Sequence, residues 1–160
     1  MNLASPRSLF FLAFLACAAM LGAGFYLQYV VGLEPCPLCI VQRIFFAGAG
    51  LFSLIAALHG RGRRIYSVLV LLCSLGGAAT AGRQIWLQTL PPDQLPSCLP
   101  PLDYMMQTMP YADILWTMFH GSADCAEVTW TLLSLSIPEW SLLAFVGFAL
   151  FAVFQFLRRG

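Results

Sequence analysis

Four apolar segments dominate the chain, and each approaches the length of about 20 residues that a helix needs to cross a bilayer. They cover residues 9–31, 40–58, 65–87 and 140–157. Only 9% of the residues are charged, whereas an ordinary soluble domain carries about 25%. We therefore predict an all-α integral membrane protein, with residues 1–160 forming a single domain that is an antiparallel four-helix bundle.

The distribution of charge predicts how the bundle is oriented. Every cation is an arginine, and most lie before the first segment, between the second and third, or after the fourth: Arg7, Arg61, Arg63, Arg64, Arg158 and Arg159. In a four-span chain these places share one side, which is cytoplasmic by the positive-inside rule. Both termini should then be cytoplasmic, and the loops at 32–38 and 88–139 should face the outer compartment. The net charge of +1 argues against a nucleic-acid partner, which requires a basic face.

The first segment also has features of a secretory signal peptide. Arg7 precedes it, and Ala16-Cys17-Ala18 resembles a small-residue cleavage site. Its apolar stretch, however, is longer than the about 7–15 residues that are typical of a signal sequence. We therefore interpret it as a membrane span.

The long outer loop carries apolar residues that are too few to form a fifth span. Its first part, 91–101, is rich in proline, which disfavours regular helix. The apolar stretch 113–119, with Tyr104 and its neighbouring methionines upstream, predicts a short interfacial helix on the bilayer surface. Packing into the protein core is the alternative for this stretch. Ser136 and Glu139 have the spacing of a capping box and should open the fourth helix.

The cysteines divide into two groups. Cys17 and Cys73 lie inside apolar segments, where a free cysteine behaves as a small hydrophobe. The other four lie in or beside the outer loops: Cys36, Cys39, Cys98 and Cys125. Disulfides persist outside the cytosol, for example in the bacterial periplasm, so the predicted orientation places these four where disulfide chemistry operates.

The spacing Cys36-x-x-Cys39 has three interpretations: half of a zinc site, a structural disulfide or a redox pair. Zinc needs about four nearby ligands, and neither Cys98 nor Cys125 belongs to a second such motif. We therefore predict no metal site. A cysteine in the first turn of a helix lies at the positive end of the helix dipole, which stabilises the reactive thiolate. This position favours redox chemistry.

Cys98 and Cys125 allow both a structural and a reactive interpretation. A disulfide that stapled the outer loop would stabilise the fold by about 3 kcal/mol in the chain-entropy model. The flanks of Cys98 are rich in proline and those of Cys125 are small and polar, so we expect both sulfurs to be accessible. Accessibility serves thiol–disulfide exchange and is unnecessary for a staple.

Arg43 stands four residues after Cys39 on a stretch that is otherwise apolar. An arginine at the centre of a span costs about 2.5–3.5 kcal/mol on insertion scales, and less near the surface. If the helix begins near Pro37, then Cys36, Cys39 and Arg43 share one face. The guanidinium could then donate hydrogen bonds to a carbonyl ligand held in the bilayer beside Cys39; snorkelling to the interface is the alternative. For Arg83, near the end of the third span, snorkelling or packing is at least as good an explanation as function.

With these residues assembled, the chain resembles the DsbB family of bacterial inner-membrane disulfide oxidants. The resemblance rests on four spans, on Cys36-Pro37-Leu38-Cys39 with Arg43, and on Cys98 in a long outer loop. It also includes Asp124-Cys125-Ala126-Glu127 and Pro138-Glu139-Trp140.

The resemblance implies an activity: oxidation of the periplasmic thioredoxin-fold protein DsbA, with transfer of the electrons to ubiquinone, or to menaquinone when oxygen is scarce. It implies the catalytic disulfides Cys36–Cys39 and Cys98–Cys125, attack of DsbA on Cys98, and Arg43 as a quinone-binding residue beside Cys39. The family type has a histidine after the third span, where Gln88 and Thr89 stand here, so quinone binding should depend more on Arg43. The alternatives are an enzyme resembling vitamin K epoxide reductase and a non-catalytic scaffold with two structural disulfides.

Overall fold

Four long helices form the bundle in a computed structural model that describes residues 5–97, 102–128 and 130–158. They are α1 (Pro6–Tyr29), α2 (Pro37–His59), α3 (Arg63–Gln88) and, after the outer loop, α6 (Ile137–Leu157). All four are long and apolar enough to cross a membrane. The predicted fold class is confirmed, although each helix begins a few residues before its apolar segment.

The early starts have a local cause, because polar or proline residues outside the apolar segments supply the caps. Ser5 caps α1 by accepting a hydrogen bond from the Ser8 amide at 3.2 Å, and Pro6 begins that helix. The predicted capping box of α6 is confirmed, with Ser136 and Glu139 bonded reciprocally. Gly60, at φ +68°, ends α2 in the left-handed conformation, which glycine adopts without steric cost. Only three residues then separate α2 from α3, so the two helices are antiparallel neighbours.

The core lies where the four long helices meet. Phe46 of α2 stacks on Phe145 of α6 with ring centroids 4.0 Å apart. Cys17 of α1 and Val70 of α3 are buried in the same cluster. The outward faces instead carry exposed apolar side chains such as Leu51, Leu72 and Leu150, as expected for helices whose solvent is lipid.

The outer loop forms two short helices and a small hairpin. Helix α4 (Leu102–Thr108) precedes α5 (Tyr111–His120). Strand β1 (Thr131–Leu132) pairs with β2 (Leu135–Ser136) in an antiparallel hairpin, which was not predicted from the sequence.

The apolar stretch 113–119 is helical and packs on the bundle, which supports the core-packing alternative; its location at the bilayer surface stays a prediction. Ile114 and Met118 of α5 are buried in a cluster with Val41 of α2. Leu115 and Trp116 on the opposite face are exposed. The helix therefore packs on the bundle with one face and presents an apolar face outward.

Two arginine contacts bring the predicted cytoplasmic segments together at one end of the bundle. Arg7 donates to the carbonyl oxygens of Ala57 and Leu58 at 3.2 and 2.9 Å, where α2 ends. Arg63 donates to the carbonyl oxygen of Arg158 after α6. The other end of the bundle carries the outer loop.

Candidate functional site

Three cysteines meet where α2 begins. Cys36 is the N-cap residue of α2, and its sulfur lies 3.1 Å from that of Cys39 in the first turn. Cys125, which ends a 3₁₀ turn at Ala123–Cys125, forms a hydrogen bond with the Cys36 side chain. All three are free thiols. Cys36 therefore contacts both of the other sulfurs.

The loop that carries Cys125 is held against the bundle by a close backbone approach at Gly121. This residue has φ +78°, and a Cβ atom there would lie 2.7 Å from Leu87 and 2.9 Å from Leu38. Only glycine satisfies both the conformation and the contact. The neighbouring Cys125 is consequently packed among the same apolar side chains.

This packing corrects one expectation from the sequence. Small polar flanks predicted an accessible sulfur at Cys125, but its exposed fraction is 0%. The flanks are small, and for that reason the loop fits closely over Leu38 and Leu87 rather than standing away from them. Cys98, its predicted disulfide partner, lies outside the described residues, so that pairing stays a prediction.

The hydrogen bonds of the cluster shift the pKa values of Cys36 and Cys125, which lie outside the membrane span, in opposite directions. The Cys36 thiol, backbone groups of Ser122 and Leu38, and the Ser122 hydroxyl lower the pKa of Cys125 to about 6. Leu38 is in the first turn of α2, where backbone N–H groups have no partner within the helix. The bond to Cys125, the bond to Cys39 and burial raise the pKa of Cys36. At neutral pH the proton is therefore held on Cys36 and Cys125 is the thiolate.

A buried glutamine for which the sequence predicted no role also contacts the cluster. The Nε2 atom of Gln84, on α3, lies 3.4 Å from the sulfurs of both Cys36 and Cys39. Its Oε1 atom accepts a hydrogen bond of 2.8 Å from Nε2 of Gln42. The available signal was an amide near the end of an apolar span, since a polar side chain at membrane depth usually has a partner or a function.

Arg43 contacts a different neighbour from the thiols. Its guanidinium donates to the Gln28 side chain and, at 2.9 Å, to the carbonyl oxygen of Gly24, both on α1. It also lies over the Phe25 ring, 5.1 Å from the centroid. The side-chain contacts of Cys39 are instead with Cys36 and with Gln84 of α3. The structure thus brings the three cysteines together, while Arg43 binds to α1.

Arg43 lines a cavity of about 430 Å³ between α1 and α2. The wall of the cavity also contains Gln28 and Phe25 of α1, together with Pro35 and Ile40, the chain neighbours of Cys36 and Cys39. Most of this wall is apolar, with an amide and a guanidinium in it. This is the composition of a site for a largely apolar ligand that has a few hydrogen-bond acceptors.

The remaining residues of interest have structural contacts. Arg83 lies over the Trp86 ring at 4.4 Å and donates to the carbonyl oxygen of His120 at 3.4 Å, which is a packing role. Thr89 bonds to the carbonyl oxygen of Trp86 within its own helix end. Cys17 and Cys73 lie within or against the apolar core.

Comparisons with known proteins match nearly the whole chain. The family model described as "DsbB: Disulfide bond formation protein DsbB" matches residues 6–155. Disulfide bond formation protein B 1 of Pseudomonas aeruginosa is 64% identical over 162 residues, which cover 99% of this chain and 99% of that protein. Disulfide bond formation protein B of Stutzerimonas stutzeri is 56% identical, with 99% of each chain covered. The corresponding protein of Hahella chejuensis is 52% identical, with 96% of this chain and 94% of that protein covered.

Proposed function

Because this chain belongs to the DsbB family of disulfide bond formation proteins, we propose that it is a membrane thiol–quinone oxidoreductase. Its dithiol substrate is a DsbA-type thioredoxin-fold protein of the periplasm, which it oxidises. The electrons pass to ubiquinone, or to menaquinone, in the membrane of a bacterial cell. The net effect is to drive disulfide bond formation in exported proteins.

The observation that carries this proposal is the position of Cys36 between Cys39 and Cys125. In thiol–disulfide exchange a thiolate attacks one sulfur of a disulfide and the other sulfur leaves. Cys125 still receives hydrogen bonds from Ser122 and Leu38, which lower its pKa, when Cys36 is in a disulfide and has no proton to donate. It lies against the one cysteine of the C-x-x-C pair that is outside the helix.

The exchange steps balance without a further reactant. A partner thiolate attacks Cys98 of a Cys98–Cys125 disulfide, and Cys125 leaves as a thiolate. Cys125 then attacks Cys36 of a Cys36–Cys39 disulfide and releases Cys39 with the electron pair. Cys98, freed when the second partner thiol completes the partner's own disulfide, attacks Cys125 and releases Cys36. The two electrons then reside on the Cys36/Cys39 pair.

The cavity between α1 and α2 fits a quinone head group in size and chemistry. Its volume of about 430 Å³ is in the range of about 300–1,000 Å³ that is typical of small-molecule sites. Arg43 and Gln28 would donate hydrogen bonds to the carbonyl oxygens, and Phe25 and Ile40 would contact the ring. A quinone, when bound, supplies the acceptor for two electrons and two protons.

The predicted orientation supports a periplasmic location for the thiol chemistry. The thiols lie at the end of the bundle opposite Arg7, Arg63 and Arg158. By the positive-inside rule the arginine end is cytoplasmic, so the thiol end faces the periplasm. Both termini are then cytoplasmic.

The decisive experiment measures quinone-dependent oxidation of a reduced thioredoxin-fold dithiol protein by the purified full chain in detergent. Cys39→Ser should abolish turnover, because electrons from the Cys98/Cys125 pair then have no Cys36–Cys39 disulfide through which to reach the quinone. Arg43→Ala should raise the KM for quinone about tenfold or more, since a hydrogen bond to a charged donor contributes about 1.5–3 kcal/mol.

Arg83→Ala is the matched control, because among the described residues the ring contact and the hydrogen bond of this arginine are with Trp86 and His120. It should leave the KM for quinone unchanged. A non-catalytic scaffold would show no quinone-dependent oxidation in the unmodified protein. An equal effect of Arg43→Ala and Arg83→Ala would remove Arg43 from the quinone site.

A further inference from the structure

The side-chain amide of Gln84 is nearly enclosed at the thiol end of the bundle. Gln84 is 4% exposed, and its partner Gln42 is 3% exposed. An amide buried without hydrogen bonds costs roughly 1–3 kcal/mol in proteins, so these two side chains are retained at a cost that their contacts must offset. Those contacts are each other and the two sulfurs of the C-x-x-C pair.

The hydrogen bond from Gln42 determines which end of the Gln84 amide meets sulfur. Because Nε2 of Gln42 donates to Oε1 of Gln84 at 2.8 Å, the Nε2 group of Gln84 is oriented to donate to Cys36 and Cys39 at 3.4 Å. The Cys39 thiol also donates to Oε1 of Gln84, at the longer distance of 3.6 Å. A thiol or thiolate accepts such a hydrogen bond, and a thiolate accepts it more strongly because it is charged. Gln42 thus donates to Gln84, and Gln84 donates to the two cysteines.

From this geometry we infer that Gln84 is a positioning residue that stabilises the reduced Cys36/Cys39 pair, and that Gln42 orients it. The inference deepens the proposed function and rests on it for the direction of electron flow. Reduction of the Cys36–Cys39 disulfide consumes two electrons and two protons, supplied by the outer dithiol. Gln84 supplies neither; it donates hydrogen bonds to the sulfurs that receive them.

The consequence concerns oxidising strength. A group that binds the dithiol form better than the disulfide form raises the reduction potential of the pair. Both sulfurs lie within reach of one Nε2 atom, so the contact favours two adjacent sulfurs that carry protons or negative charge. The Cys36–Cys39 disulfide becomes a stronger oxidant of the outer pair, as an enzyme that oxidises another disulfide oxidant requires.

The test is the redox equilibrium of this pair in the full chain with Cys98→Ser and Cys125→Ser, so that Cys36 and Cys39 have no outer-loop cysteine with which to exchange. The protein is equilibrated with glutathione or dithiothreitol buffers, and the reduced fraction is read as a mass shift after alkylation. Gln84→Met keeps the size of the side chain and removes the donor. We expect its equilibrium constant for reduction to fall about tenfold, which corresponds to about one charge-assisted hydrogen bond.

Gln155→Met is the matched control, because Gln155 is equally buried, on α6, and its amide has no hydrogen-bond partner among the described residues. It should leave the equilibrium unchanged. Gln42→Met, in which Gln84 keeps its amide but loses the group that orients it, should lower the equilibrium constant by a smaller factor, about twofold to threefold. It also provides the test if Gln84→Met does not fold.

The inference is overturned if Gln84→Met and Gln42→Met titrate within error of the unmodified pair, or if Gln155→Met shifts the equilibrium as much as they do. Neither outcome involves a quinone or a protein partner. Absence of quinone-dependent turnover in the unmodified chain would instead contradict the proposed function and leave this equilibrium measurable.

Discussion

At the scale of single residues, reactivity at the site follows from which group donates to which sulfur. Cys125 receives hydrogen bonds from Cys36, Ser122 and Leu38, whereas Cys36 is buried between two other thiols. Two cysteines in contact therefore differ in protonation. The contact assigns Cys36 as the sulfur that Cys125 attacks. Ser122 and Leu38 are the donors that stabilise the attacking thiolate, because Cys36 has no proton to donate once it is in a disulfide.

This assignment predicts a pH dependence. In the reduced protein, Cys125 should be about nine-tenths thiolate at pH 7, because its pKa is lowered to about 6. Acidification through about pH 6 should protonate it. Cys36→Ala removes the strongest of the donors and should move the titration to higher pH, so the thiolate fraction at pH 7 falls.

The measurement is the ultraviolet absorbance of the thiolate against pH, taken as the difference from a Cys125→Ser protein. Cys73→Ser, which removes a thiol elsewhere in the bundle, is the control and should not move the midpoint. If Cys36→Ala also leaves the midpoint unchanged, the Cys36 thiol is not the donor that lowers the pKa of Cys125.

At the scale of helices, the contact between α3 and α6 depends on small residues that let a phenylalanine approach the helix backbone. A Cβ atom on Gly77 of α3 would lie 2.2 Å from the ring of Phe145 on α6. Phe145 is fully buried and stacks on Phe46 of α2. Displacing one ring therefore disturbs three helices. Close packing through small residues is a general means of associating helices in lipid.

Gly77→Ala should destabilise the bundle by about 1–3 kcal/mol, because the added methyl group overpacks the core around Phe145. Gly82→Ala on the same helix is the matched control, since nothing lies within 4 Å of a Cβ atom there. It should be neutral or stabilising by about 0.5–1 kcal/mol, as alanine favours helix. Denaturant unfolding in detergent micelles measures both, and a Gly77→Ala protein as stable as Gly82→Ala would contradict the packing argument.

At the scale of the whole molecule, the two ends of the bundle are chemically distinct. At one end, Arg7 donates to carbonyl oxygens where α2 ends, and Arg63 donates to the carbonyl oxygen of Arg158. The other end holds Cys36, Cys39 and Cys125 and the helices of the outer loop. The proposed reaction requires the thiol end to face the compartment in which disulfides form.

The orientation is tested by single cysteines in an otherwise cysteine-free chain. Arg61→Cys and Gln94→Cys place thiols at exposed positions at the two ends. A membrane-impermeant maleimide applied to intact spheroplasts should label Gln94→Cys and spare Arg61→Cys, and lysis should make both reactive. The reverse pattern would place the thiol end in the cytosol and exclude the proposed reaction.

Much of this architecture was predictable because its signals are local in the chain. Apolar length predicted the four helices, and Ser136 with Glu139 predicted the start of α6. The spacing of Cys36 and Cys39 predicted a sulfur pair at a helix start. Arg43 was identified as unusual from its neighbours alone. The hairpin at β1 and β2 was not anticipated, since its turn contains Leu133 and Ser134 at positive φ rather than glycine.

The sequence by itself determined that the protein belongs in a membrane, how many spans it has and the chemical type of its site. Hydropathy and residue spacing carry this information because both are read from neighbouring residues in the chain. Only the tertiary structure decided which sulfur touches which, that Cys125 is buried, that Arg43 binds to α1, and that Gln84 reaches both cysteines of the pair. These facts depend on contacts between residues distant in sequence. Helix packing sets such contacts, and no pattern within one segment encodes them.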